Sequence, residues 1–303
     1  MSRARFVALR NAFHMVDASS APGNNNKVWK VLPVLDAVRN VCLSLPWGHV
    51  TYSVDEQMIQ FTGCCPLRQF VKNKPQPVGL KNFVLTTSAG LVLDYEIYQA
   101  DATPLQTKEF GLGPSVMLRL AQTLPQESFI YFDRYFTSLS LLEKLTEMKL
   151  YGSGTIMANR LKGLPLSDAS KVVRGQSIEH VAENCDLVVV EWKDSNKVIM
   201  ASNCCGSTLT EPVQHWSKID NKHVEVDCPS VVHKYNQNMG GVDVCAQQME
   251  CYRAWFRSMK WAWKAILHFV DLAVLNAWNQ YMRSIKGNNI PRKEQKDLLH
   301  FKL

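Results

Sequence analysis

Apolar residues at Phe6, Leu9, Phe13 and Val16 recur at three- and four-residue intervals, the signature of one helical face. Ser19 to Asn26, rich in Ser, Gly, Pro and Asn, reads as a loop. A second helix is predicted from about Trp29 to Leu45, with Pro33 near its start and Pro46-Trp47-Gly48 at its end. From His49 the pattern turns to β. His49 to Asp55, Gly79 to Thr87 and Leu91 to Tyr98 are strand candidates, with Ser88-Ala89-Gly90 as a hairpin turn. A helix near Ser115 to Thr123 precedes a strand, Ser128 to Phe132, that runs directly into Asp133. Ser140 and Glu143 form a capping-box pattern for a helix carrying Leu141, Leu145 and Met148, and Tyr151 to Ile156 is a fifth strand.

Three strands, a helix, a strand, a helix and a strand suit an α/β fold, a mixed sheet with helices on its faces. The alternation stops between about Leu166 and Pro229. That stretch holds one clear hairpin, Leu187 to Trp192 and Lys197 to Ser202, and reads as an insertion containing β structure. Gly240-Gly241 leads into a helix with Asp243 in it. A long final helix is expected to face the core with Trp263, Leu267, Val270, Val274, Ala277 and Tyr281. The predicted division is a helical segment at 1–48, a core at 49–165 and 230–285, an insertion at 166–229 and a mobile basic tail at 286–303.

Composition narrows the function classes only slightly. The chain has 303 residues, 46% hydrophobic and 20% charged, enough for one large domain or two smaller ones. A formal charge of +7 is compatible with a nucleic-acid partner. No apolar run follows a basic start. The apolar stretch Trp261 to Tyr281 is broken by Lys264, His268, Asp271 and Asn276, so it reads as a buried helix and not as a membrane span. The nine cysteines form no CxxC and no set with zinc-ligand spacing, so reduced thiols in the cytosol or nucleus, and no zinc, are expected.

The candidate chemistry lies in three aspartates. Asp55 and Asp133 each follow an apolar β run, and neighbouring strands would set them side by side at one sheet edge. Asp243 opens a helix behind two glycines that permit close backbone approach. Carboxylates from three segments could converge on Mg²⁺ or Mn²⁺, and two such ions about 4 Å apart clamp an in-line phosphoryl displacement. Asp55 equally fits a cap on a helix begun by Glu56-Gln57-Met58, and Asp243 an acid favoured by the helix dipole.

The words around these residues resemble those of piggyBac transposases and their derived relatives. They are Ser53-Val54-Asp55-Glu56-Gln57-Met58, Phe61-Thr62-Gly63, Cys65-Pro66-Leu67-Arg68 and Asn73-Lys74-Pro75; then Phe132-Asp133-Arg134-Tyr135-Phe136-Thr137-Ser138 and Asn159-Arg160; then Met239-Gly240-Gly241-Val242-Asp243 and Lys260-Trp261. The likeness runs in order from Ser2-Arg3 to about Tyr281. It implies a ribonuclease H-like mixed sheet flanked by helices, with an inserted β-containing subdomain and a helical N-terminal segment. It also implies Mg²⁺-dependent (or Mn²⁺-dependent) cleavage and transfer of strands of double-stranded DNA, a nuclear location and a possible homodimer. Asp55, Asp133 and Asp243 match the three metal-binding aspartates. Trp261 matches a tryptophan near the flanking DNA, and is equally read as a core aromatic. Arg68, Lys74, Arg134, Arg160 and Lys260 are the candidate phosphate contacts, against the plainer reading of a scattered basic surface.

The pattern departs from the family at Ala246, where a fourth aspartate often stands. The resemblance further implies a longer N-terminal region and a cysteine-rich zinc domain that this sequence does not show. A shortened, domesticated copy that transposes weakly or not at all is therefore expected. The alternative is a non-catalytic nuclear DNA-binding or protein-interaction module that keeps the fold.

Overall fold

Asp55 lies in the middle of a strand, not at its end. In the computed structural model, which describes all residues except 18, 20, 23–25, 46–50, 73, 169, 184, 185, 218–220, 255 and 256, strand β1 runs unbroken over Thr51–Gln60. The possibility that Asp55 caps a helix is thereby excluded. The expected helix stop Pro46-Trp47-Gly48 and the first two residues of the predicted strand, His49 and Val50, lie outside the described residues. Before β1 come α1 (Arg3–Ala12) and α2 (Leu32–Ser44), the latter preceded by a single 3₁₀ turn. After it come β2 (Arg68–Phe70), β3 (Val78–Thr87), β4 (Val92–Ile97), α3 (Leu112–Ala121), β5 (Phe129–Phe132), α4 (Leu139–Glu147) and β6 (Tyr151–Thr155). The remainder comprises β7 (Ser177–Val181), β8 (Val188–Lys193), β9 (Lys197–Ser202), β10 (Glu211–Ser217), β11 (Lys222–Cys228), α5 (Ser230–Asn238), α6 (Gly241–Cys251), α7 (Trp261–Gly287) and α8 (Leu298–Lys302).

The sheet is mixed. β1 pairs antiparallel with β3 on one side and parallel with β5 on the other, and β5 continues parallel to β6. β2 and β4 both pair with β3. The hairpin of the inserted stretch joins this sheet: β9 pairs antiparallel with β6, and β8 and β7 follow. β10 and β11 form a separate ribbon.

Strand alternation divides the core between two faces. Phe83 and Leu85 point, with Tyr52 and Val54, toward α3 and α4, where they meet Val116, Leu120, Leu141 and Leu145. Val84 points the other way, with Ile59 and Tyr95, onto Leu35, Val242, Phe269 and Leu272 of α2, α6 and α7. Each such side chain contributes about 1.5–3 kcal/mol on full burial. A third cluster, with Val190, Trp192, Met200, Val226 and Val231, ties the far strands to β11 and α5.

Two local expectations are corrected. The cap of α4 is Ser138, whose Oγ accepts the Leu141 N–H at 3.2 Å. The helix starts two residues earlier than a Ser140–Glu143 box requires. The α7 stripe is rotated: Val270 and Ala277 are exposed, while Ala265, His268, Phe269, Leu272, Leu275 and Asn276 face the core. Hydrophobicity misleads there because the buried polar residues are hydrogen-bonded. Asn276 bonds both the N–H and the carbonyl of Val92, at 3.0 and 2.7 Å, stitching α7 to β4. The tail packs back on α7: Lys302 Nζ lies 2.6 Å from Asp271 Oδ1, and the Phe301 ring packs on Tyr281.

Candidate active site

Register sets the first two aspartates together. Val54 of β1 pairs with Phe132 of β5, so Asp55 and Asp133 follow a matched pair on neighbouring parallel strands. β5 ends there, and its chain turns through Asp133, whose backbone carbonyl accepts Thr137 Oγ1 and whose Oδ1 accepts the Tyr135 N–H at 2.9 Å. β1 instead continues, held by β3 on its other side.

The third aspartate arrives by close packing. A Cβ on Gly241 would stand 2.2 Å from the Thr87 carbonyl, 2.5 Å from Thr86 Oγ1 and 2.6 Å from Ser53 Oγ. Only glycine lets the first turn of α6 rest on β1 and β3 two residues from Asp55. Asp243 lies in that turn, exposed. Gly241→Ala is therefore expected to lower stability by about 3 kcal/mol, because the obstructing atoms include backbone. Urea denaturation of the variant measures it.

A cavity of about 420 Å³ opens beside these elements. Glu56, Lys74, Asp243 and Ala246 are among its lining residues. Asp243 and Ala246, three apart, share one helix face. Lys74 Nζ lies 3.3 Å from Asp55 Oδ2, 3.1 Å from the Glu56 carbonyl and 3.7 Å from Glu56 Oε1. Burial pushes the Asp55 carboxyl up to about 7; Lys74 opposes the rise, while Glu56 and Asp133 add to it. Burial also raises Asp133, against the Tyr135 N–H and with the help of Glu56. Burial alone would lower the Lys74 ammonium, but Asp55, Glu56 and Asp243 outweigh it and hold it above its ordinary value. Lys81 sits 4.2 Å over the Tyr135 ring and 4.8 Å over Phe83, and burial lowers its pKa despite Glu56, Asp133 and Asp55.

Four carboxylates, Asp55, Glu56, Asp133 and Asp243, thus act on two ammonium groups, Lys74 and Lys81. Glu56 Oε2 is buried without a hydrogen-bond partner. An all-oxygen, under-compensated donor set is the chemistry that suits a hard divalent cation. Among the described residues, no three His, Cys, Asp or Glu side chains stand close enough together to enclose an ion.

Glu56 and its central place between Asp55, Asp133 and both lysines escaped the sequence reading, since one carboxylate beside another carries no spacing signal. So did the buried relay behind the site. Burial pulls the His268 imidazole down to about 3, so the ring is neutral. Arg253 donates to its Nδ1 at 3.1 Å, and Nε2–H donates to Gln57 Oε1 at 3.0 Å.

The expected phosphate contacts separate into two groups. Lys74 belongs to the carboxylates. Arg160 lies close to Asp133 in the chain's path, and its guanidinium donates to the carbonyls of Arg134, Tyr135 and Thr137. Arg134 is exposed. Arg68 Nη1 holds the Thr62 and Gly63 carbonyls at 3.2 and 3.1 Å. Lys260 and Trp261 lie elsewhere, at the start of α7. Lys260 Nζ donates to the Asn11 carbonyl at 3.2 Å, and Trp261 joins Phe13, Trp29 and Trp263 around a separate cavity of about 370 Å³.

Comparison with known proteins assigns the class. A family model described as Transposase IS4 matches residues 1–278. The human PiggyBac transposable element-derived protein 3 is 28% identical over 285 residues, covering 92% of this chain and 48% of that protein. The human PiggyBac transposable element-derived protein 2 is 30% identical over 285 residues, covering 91% and 48%. The chain spans about half the length of these curated relatives. The cryo-EM structure of a piggyBac transposase synaptic complex with hairpin DNA superposes with a TM-score of 0.83 at 23% identity, over 100% of this chain and 61% of that one. The chain belongs to the piggyBac branch of the IS4-type transposases, and its fold is the ribonuclease H-like fold of that structure.

Proposed function

We propose that this transposase-derived protein binds double-stranded DNA and keeps a three-aspartate site for metal-dependent strand cleavage and transfer, with weak turnover at most. The observation that carries the reading is the placement of Asp55 and Asp133 on paired parallel strands beside the α6 turn that bears Asp243, that turn being seated by Gly241 and Asp55 being paired with Lys74. Asp55, Asp133 and Asp243 would hold Mg²⁺ or Mn²⁺, which would activate the attacking oxygen and stabilise the leaving one. The protein's own residues supply the frame. Arg134, exposed next to Asp133, would meet a phosphate, Arg160 holds the Asp133 turn through its carbonyls, and burial around Asp55 and Asp133 strengthens any charge interaction inside. Ala246 lines the cavity on the Asp243 face, where the family often places a further carboxylate, and this supports weak turnover. Contact of Lys260 and Trp261 with flanking DNA, a nuclear location and a homodimer belong to the same proposal and rest on the family alone.

Duplex binding measured against salt tests the reading. The affinity is expected to fall linearly in log–log form, with Arg134→Ala reducing the slope by about 1. Mg²⁺-dependent nicking, if detected, is expected to vanish in Asp133→Asn. Absence of duplex binding at low salt would leave only a protein-interaction role, and vigorous excision of a matched transposon would overturn the claim of weak turnover.

A further inference from the structure

We propose, resting on that reading, that the Lys74 ammonium is the resident counter-cation of the acidic site: it competes with the first divalent ion and, once displaced, turns to a DNA phosphate. Three distances fix its present role. Nζ stands 3.3 Å from Asp55 Oδ2, 3.7 Å from Glu56 Oε1 and 3.1 Å from the Glu56 carbonyl. Asp55 and Glu56 are adjacent on β1, and Lys74 reaches both from the segment between β2 and β3. Their side chains are only 14% and 11% exposed, so the pair is largely shielded from water, whereas Lys74 is 25% exposed.

Two adjacent, largely buried carboxylates repel each other, and an ammonium lying against both removes much of that cost. A divalent ion on Asp55 would do the same with twice the charge. Ammonium and metal ion cannot both lie against Asp55 without strong repulsion, so one must leave. Lys74 is the group able to leave. It has a flexible four-carbon stem, it is the more exposed partner, and it lines the 420 Å³ cavity that also holds Asp243. The released ammonium would stay beside the metal and the incoming backbone, where a phosphate oxygen is its natural partner. Lys74 is thus a positioning residue with two partners, a carboxylate pair before metal binding and a phosphate after it.

Mn²⁺ binding to the full chain tests this without reference to catalysis. Free Mn²⁺ is followed by electron paramagnetic resonance for the wild type, Lys74→Gln, Lys74→Arg and Asp133→Asn. Lys74→Gln is expected to bind Mn²⁺ about tenfold more tightly, since a cation facing the ion is gone. Lys74→Arg keeps the charge and is expected to match the wild type. Equal or weaker Mn²⁺ binding by a folded Lys74→Gln overturns the proposal. If the wild type binds Mn²⁺ and Asp133→Asn does not, the metal-site reading survives that failure; if none of the chains binds, both fall. In the second arm, Lys74→Gln is expected to lose duplex affinity in Mn²⁺ and not in EDTA. An equal loss in both overturns the displacement.

Discussion

Asp55→Asn is expected to make the protein more stable at pH 8 while removing a carboxylate from the candidate site. The sign follows from burial. The Asp55 carboxyl is held at about 7, so the folded chain keeps a proton that the unfolded chain releases near its ordinary value of 3.8. Wild-type stability therefore falls as pH rises from about 4 through 7, and Asp133 and Glu96, also raised, fall in the same direction. Asn carries no charge to desolvate. The variant should gain on the order of 2 kcal/mol above pH 7, and the gain should shrink to nothing as pH falls below the ordinary value of 3.8, where both states of the wild type are protonated. Lys74 keeps Glu56 as a partner in the variant. Melting temperatures at pH 5 and pH 8, with Mn²⁺ binding measured alongside, check both halves. A variant less stable than the wild type at pH 8 would mean that the Lys74 pair outweighs the burial of Asp55. The expected pattern is the trade between stability and function at a charged site.

Arg119→Met is expected to cost about 3–5 kcal/mol, since it strips the partner from a buried acidic pair. Asp94 is fully buried on β4, with Arg119 Nη1 at 2.5 Å and Arg39 Nε at 2.7 Å. Glu96, two residues along the same strand, takes Arg119 Nε at 3.0 Å. Burial already holds the Glu96 carboxyl at about 7 against the pull of Arg119 and Arg39. Met fills a similar volume but leaves both acids short of charge, so urea denaturation at pH 8 should show the loss. Adding Glu96→Gln to the variant is expected to recover part of it. An unchanged midpoint would show that Arg39 alone satisfies Asp94.

Much of the fold was legible because its strands are written in short β-branched and aromatic runs with turns between them. Val78–Thr87 and Val92–Ile97 with their Ser88-Ala89-Gly90 turn were readable from local chemistry. So was Phe129–Phe132 leading into Asp133. Elements that depend on a partner were read less well. β1 extends past Asp55 because β3 pairs with it as far as Gln60, a register that no local window contains. The α7 stripe was misassigned because Asn276, His268 and Asp271 are buried by hydrogen-bonding partners far away in sequence. The tail 286–303 reads as basic and polar, yet Lys302 finds the buried Asp271 and settles on α7.

Periodicity and turn chemistry by themselves determined the order of the elements from α2 to β6, apart from the short β2, together with the β8–β9 hairpin, and the family words singled out Asp55, Asp133 and Asp243. Those are properties of neighbouring residues, which a linear chain displays directly. The three-dimensional structure alone decided that Val54 meets Phe132, that Gly241 admits α6 against Ser53, and that Lys74 lies across Asp55 and Glu56. Each is a contact between residues distant in sequence, set by sheet register and close packing. The raised Asp55 carboxyl, at about 7, and the buried Glu56 oxygen lacking a hydrogen-bond partner exist only once these segments share one desolvated space.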